Sequence, residues 1–247
     1  MNELVAGIDL CDEYTQVNCN DEEKTWTFPT VLCRHKVSGT WSVGEDAYAQ
    51  TLRGEGSLTD KLVKLVLKEG TATLEGIRYT AVELLERFLE RVLWQVKKNL
   101  GTEAGFQELV FTVRSLDERL TEALYSCGEK LGVDRARIRI IGHTEGLIYY
   151  MLSQKKEIWS GNVGLFDLSE QELRYYELKV QRGLKQNAVL AEFERIEESF
   201  SLDILETPSG AKLGDKILCT CAERLMQRKL YSAVFLMGKG FEKREWA

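Results

Sequence analysis

Apolar residues recur along this chain with two periods, and the switching between them predicts strands alternating with helices. Val5-Ala6-Gly7-Ile8-Asp9-Leu10 is a short apolar run carrying an acid near its end, and beyond Cys11-Asp12-Glu13 the segment Thr15–Asn18 alternates polar and apolar residues. The pattern predicts two antiparallel strands joined by a tight polar turn. A third strand is expected from Trp26 to Leu32, interrupted by Pro29, followed by a turn at Lys36–Gly39 and a short extended segment at Thr40–Val43. Gly44–Leu58 reads as loop around one short helix.

Helices are signalled more strongly. Thr80-Ala81-Val82-Glu83 has the spacing of a capping box, in which hydroxyl and carboxylate satisfy each other's backbone donors. Val82, Leu85, Leu89, Val92, Leu93 and Val96 then recur at helical spacing, and Gly101 is a stop signal. Ser115-Leu116-Asp117-Glu118 repeats the device, with Leu116, Leu120, Leu124, Cys127 and Leu131 on one face. Between the two helices, Leu109–Val113 reads as a strand covered on both faces. Ile138–Ile141 predicts another strand, leading into a helix over Thr144–Lys155.

The opening pattern then returns. Val163-Gly164-Leu165-Phe166-Asp167-Leu168 again carries an acid near its end, a polar turn follows at Ser169-Glu170-Gln171, and Leu173–Val180 alternates. A third strand is expected over Leu184–Leu190, then a charged stretch at Glu192–Ser199, a helix over Ala211–Arg228 and a buried strand at Ala233–Met237, from which Gly238-Lys239-Gly240 turns away. The repeated unit implies an α/β protein of two mixed-sheet lobes, 1–157 with a small inserted subdomain and 158–247, shorter.

Composition narrows the function classes. The chain of 247 residues has 33 Lys and Arg against 39 Asp and Glu, a formal charge of −6, so it lacks the footprint of a nucleic-acid binder. No apolar run approaches the ~18 residues of a membrane-spanning helix, and Asn2-Glu3 is unlike a signal peptide, which together imply a cytoplasmic location. Six cysteines without a repeated Cys-x-x-Cys spacing, and only two histidines, argue against a zinc site or a histidine triad, and for buried reduced thiols. Cys219 and Cys221 point apart on their helix, and Lys61, Lys64 and Lys68 read as a solvated helix side.

The order of these elements resembles the actin, Hsp70 and sugar-kinase ATPase superfamily. Gly7-Ile8-Asp9-Leu10 resembles its first phosphate motif, Val43-Gly44-Glu45-Asp46-Ala47 an element of Hsp70-like first lobes, and Leu109–Arg114 the strand that ends near the cleft. Ile140–Leu152, with Thr144 and Tyr150, resembles the first connecting helix, Val163–Leu168 the second phosphate motif, and Val234–Gly238 the adenosine motif. The resemblance implies two ribonuclease-H-like lobes around a central nucleotide cleft. It places Asp9, Cys11, Asp12, Asp167, Ser169, Gly238 and Gly240 at the nucleotide and makes Asp9 and Asp167 the metal-facing acids, with ATP or ADP and Mg²⁺ as the implied ligands. The alternative for each acid is a strand-end residue facing solvent, and the alternative for the site is that it binds nothing.

The departures from the family pattern shape the functional expectation. The glycine after the first acid is replaced, so Cys11-Asp12-Glu13 stands where small residues would bring backbone donors to phosphate. One added charge about 4 Å from a phosphate costs about 4 kcal/mol at an effective dielectric near 20. Asp167-Leu168-Ser169-Glu170-Gln171 replaces the glycine-rich second hairpin, Gly142 stands at the position of the catalytic Glu, and Lys239 separates Gly238 from Gly240. His143 reads as a hydrogen-bonded structural residue rather than a general base. No residue is assigned a catalytic role. The expected function is that of a pseudo-ATPase acting as a scaffold or regulatory protein partner. The alternatives are a weak or active Mg-ATPase with divergent loops and a filament-forming module. The ending at Phe241–Ala247 reads as that of a fragment or of an incomplete second lobe, and Trp246 favours a fragment.

Overall fold

The computed structural model describes residues 4–19, 24–153, 161–169, 172–180, 195–199, 219, 223, 232–238 and 241, and the chain divides into two compact units, Met1–Tyr149 and Tyr150–Ala247. The fold is mixed α/β, with several sheets and, among the described residues, five α-helices. The expected boundary at residue 157 lies outside the described residues.

The first unit opens with β1 (Leu4–Leu10), β2 (Tyr14–Cys19) and β3 (Thr25–Pro29), an antiparallel meander. Strict alternation along β1 buries Leu4, Ala6, Ile8 and Leu10 and turns Val5, Gly7 and Asp9 to the other face. Pro29 ends β3, since it has no N–H to continue a ladder. The expected single strand over Trp26–Leu32 is therefore two: Leu32 begins β4 (Leu32–His35), which pairs with β5 (Trp41–Val43) and β6 (Gly56–Thr59) in a separate three-stranded sheet. Between β5 and β6 lies α1 (Gly44–Leu52).

Next comes α2 (Leu62–Leu67), where Lys61, Lys64 and Lys68 read as a helix side. A hairpin of β7 (Thr71–Leu74) with β8 (Ile77–Thr80) follows that the pattern does not predict, just as it does not predict β6 in a stretch read as loop. Glu75 and Gly76, at φ 50° and 75°, form the two-residue hairpin turn, so Glu-Gly was the overlooked signal. Thr80 then caps α3 (Ala81–Leu100) with both halves of the predicted capping box in place, and Gly101 at φ 65° ends it.

After α3 come β9 (Phe106–Val113), α4 (Glu118–Lys130) and β10 (Ile138–Gly142), which complete a five-stranded sheet of order β10-β9-β1-β2-β3 with β1, β9 and β10 parallel. The predicted start of α4 needs correction. Asp117, not Ser115, is the cap, accepting from the Arg119 N–H, so Leu116 falls outside the helix and is 59% exposed. On α4, a Cβ at Gly128 would meet Ile138 Cδ1 at 2.5 Å and Leu109 Cδ1 at 3.5 Å, which fixes α4 on the buried face of the sheet. The start of the helix α5 (His143–Ser153) lies against the other face, where a Cβ at Gly146 would come 3.0 Å from Thr112 Cγ2.

The second unit repeats the plan. β11 (Gly161–Ser169) pairs antiparallel with β12 (Glu172–Val180), β12 antiparallel with β13 (Arg195–Ser199), and β11 parallel with β14 (Ala233–Met237). The order β13-β12-β11-β14 matches, in order and sense, the β3-β2-β1-β9 part of the first sheet. β13 falls within the stretch expected to be merely charged. The expected strand over 184–190 and most of the helix over 211–228 lie outside the described residues; Cys219 and Glu223 within that span are helical.

Candidate functional site

Parallel strands place their carboxyl ends together, and in the first unit those ends assemble one polar cluster. Asp9 and Thr112 are partners in the parallel pairing of β1 with β9, on the face opposite Ile8 and Phe111. His143 follows the last residue of β10 and begins α5. The Thr112 hydroxyl donates to Asp9 Oδ1 at 2.9 Å, and His143 Nε2 stands 2.7 Å from the same oxygen. The His143 side chain is 12% exposed and that of Asp9 49%, so the imidazole backs a carboxylate that opens to solvent. Burial pushes the Asp9 carboxyl up, but the His143 contact, the imidazole charge and the Thr112 hydroxyl outweigh it and hold the group below its ordinary value.

The sequence alone points to His143 as a hydrogen-bonded structural residue, but to neither its partner nor Thr112. The signal for Thr112 was present: it is the one polar residue in the apolar run Leu109–Val113.

The turn expected to face a phosphate is occupied by the protein's own groups. The Cys11 Sγ and N–H both donate to the Tyr14 carbonyl, at 2.9 and 3.2 Å, which closes the turn on itself. Asp12 faces α2. Its Oδ1 accepts from the Val63 N–H at 2.8 Å, and Lys64 N–H lies 3.2 and 3.3 Å from its two oxygens. The left-handed residue before α2, Lys61, supplies no side-chain cap, so Asp12 serves as one from 51 residues away.

In the second unit, Asp167 is 2% exposed and pairs in register with Met237, next to which Gly238 turns at φ 91°. A Cβ at Gly238 would stand 2.4 Å from the Leu168 carbonyl oxygen and 3.0 Å from Asp167 Oδ1. Only glycine permits this approach. The structure thus brings together Asp167 and Gly238, two of the expected site residues. Ser169 ends β11, and Gly240 lies outside the described residues.

Both contacts to Asp9 fall on Oδ1, the Asp12 carboxylate is held by α2, and among the described residues no three His, Cys, Asp or Glu side chains cluster as a metal site. Of the thiols, Cys19, Cys33 and Cys127 are buried, and burial pushes the Cys127 thiol far up.

The model of the family of unknown function DUF5716, C-terminal, matches residues 13–247. The chain belongs to this family. The match begins at Glu13, so Asp9 and Asp12 precede it while Thr112, His143, Asp167 and Gly238 of this DUF5716 chain lie within it. None of the curated proteins matches. No helix among the described residues is long and apolar enough to cross a membrane.

Proposed function

We propose that the two units are ribonuclease-H-like lobes of a catalytically degenerate actin- or Hsp70-like protein, a pseudo-ATPase that serves as a cytoplasmic scaffold or regulatory protein partner. The observation that carries this reading is the shared plan of the two sheets. Each begins with an antiparallel hairpin, adds a third strand on the hairpin's outer side and a parallel strand on the inner side, and carries an aspartate near the end of its first strand. Loss of activity is supported by the state of the groups that would do the chemistry. Asp9 is engaged by His143 and Thr112, Asp12 caps α2, and Gly142 offers no carboxylate to position a water.

A second reading, a weak Mg-ATPase, is favoured by one observation. Asp9 and Asp167 both stand near the carboxyl ends of strands paired in parallel, where α/β sheets place ligands. Steady-state ATP hydrolysis with Mg²⁺ separates the two. The expected turnover is at background in the wild-type protein and in the Asp9→Ala and Asp167→Ala variants. Steady turnover abolished by both substitutions would establish the second reading instead.

A further inference from the structure

Helix α2 has six residues, too few to be stable by itself, and left-handed backbone at both borders: Lys61 at φ 52° and Glu69 at φ 50°. Left-handed backbone is unfavourable for residues with a Cβ. Two groups from distant parts of the first unit offset this. Asp12, in the turn between β1 and β2, accepts from the first-turn amides of Val63 and Lys64. Arg119, in the first turn of α4, donates from Nη1 to the Leu67 carbonyl at 2.9 Å and pairs through Nε with Glu69 at 3.2 Å. An anion at the amino end and a cation at the carboxyl end also match the helix dipole. Leu62, Val63 and Val66 are buried in the main core, while Lys61, Lys64, Lys68 and Glu69 are exposed.

From this arrangement we infer that α2 is a releasable latch: it opens and closes as one unit, clamped at its two ends by Asp12 and Arg119. The β1–β2 turn itself stays closed by the Cys11 bonds to the Tyr14 carbonyl, so the opening is confined to α2 and its two clamps. The inference stands independently of whether the Asp9, Thr112 and His143 cluster meets a nucleotide.

The experiment is residue-resolved amide hydrogen exchange on the full chain, wild type against Asp12→Ala and Arg119→Gln. Arg119 does not touch the Val63 or Lys64 amides, so the second variant tests cooperativity across the helix. Each substitution is expected to speed exchange of the Val63 and Lys64 amides at least about fivefold, the order expected for a lost cap, with β9 and α3 unchanged. Arg119, half exposed on the surface, gives a folded variant even where Asp12→Ala does not. The latch is overturned if Arg119→Gln leaves the Val63 and Lys64 amides at their wild-type rates, or if exchange rises equally in β9, which would mean global rather than local opening.

Discussion

Asp9 and His143 come from the ends of two strands that are not neighbours, β1 and β10, and meet across β9 with Oδ1 and Nε2 2.7 Å apart. Thr112 on the intervening strand donates to the same oxygen. The contact closes the carboxyl edge of the parallel strands and ties the first turn of α5 to the sheet.

This pair makes the acid limb of stability a readout. Asp9's carboxyl is held below its ordinary value of 3.8, so between the two values the unfolded chain binds more protons than the folded one. The stability contributed by the charged carboxylate is complete above 3.8 and is lost as pH falls through the lower folded value. Urea midpoints of wild type and Asp9→Asn should therefore converge below that pH, and a constant gap would refute the assignment. Near neutral pH, His143→Ala should cost about 1–2 kcal/mol, a modest amount because solvent screens the half-exposed carboxylate.

Replacing Cys11-Asp12-Glu13 by Gly-Thr-Thr restores the small residues that the family resemblance calls for, yet it also removes the cap of α2. The expected outcome is a lower Tm, by about 1 kcal/mol of stability, and no gain in the thermal shift produced by MgATP. A saturable MgATP shift that appears only in the substituted protein would show that the acidic turn had been excluding nucleotide.

Gly128→Ala sets helix propensity against packing. Alanine in mid-helix gains about 1 kcal/mol over glycine, but here its Cβ meets Ile138 Cδ1 at 2.5 Å, and overpacking costs about 1–3 kcal/mol. Net destabilisation is expected in chemical denaturation. Adding Ile138→Val deletes the offending methyl and should recover most of the loss, which a merely additive pair would not do.

Gly238→Ala should cost about 3 kcal/mol, since it imposes a side chain on left-handed backbone and drives a Cβ into the Leu168 carbonyl. Amide exchange should rise in β11 and β14 while β1 and β9 keep their rates. Uniform protection in the variant would mean that β14 does not need this approach.

The elements with a local cause were legible in the chain. The capping box at Thr80 and Glu83, the period of α3, the apolar run of β9 and the repeat of strand, acid and turn at Asp9 and Asp167 all depend on residues a few positions apart. Short-range chemistry alone decides them.

What only the tertiary structure decided depends on residues far apart in sequence. Nothing near Asp12 points to Val63, and α2 lacks a cap of its own, so the role of the acid was not visible until the fold brought the two together. Pro29 was seen as an interruption, but whether the chain resumed in the same sheet or began another depended on which strands β4 found as partners. Asp9 and Asp167 read alike in the sequence, yet one is half exposed beside an imidazole and the other is 2% exposed against a glycine turn. Their shared motif is set by local pattern, whereas their difference comes from what each sheet packs at its strand ends.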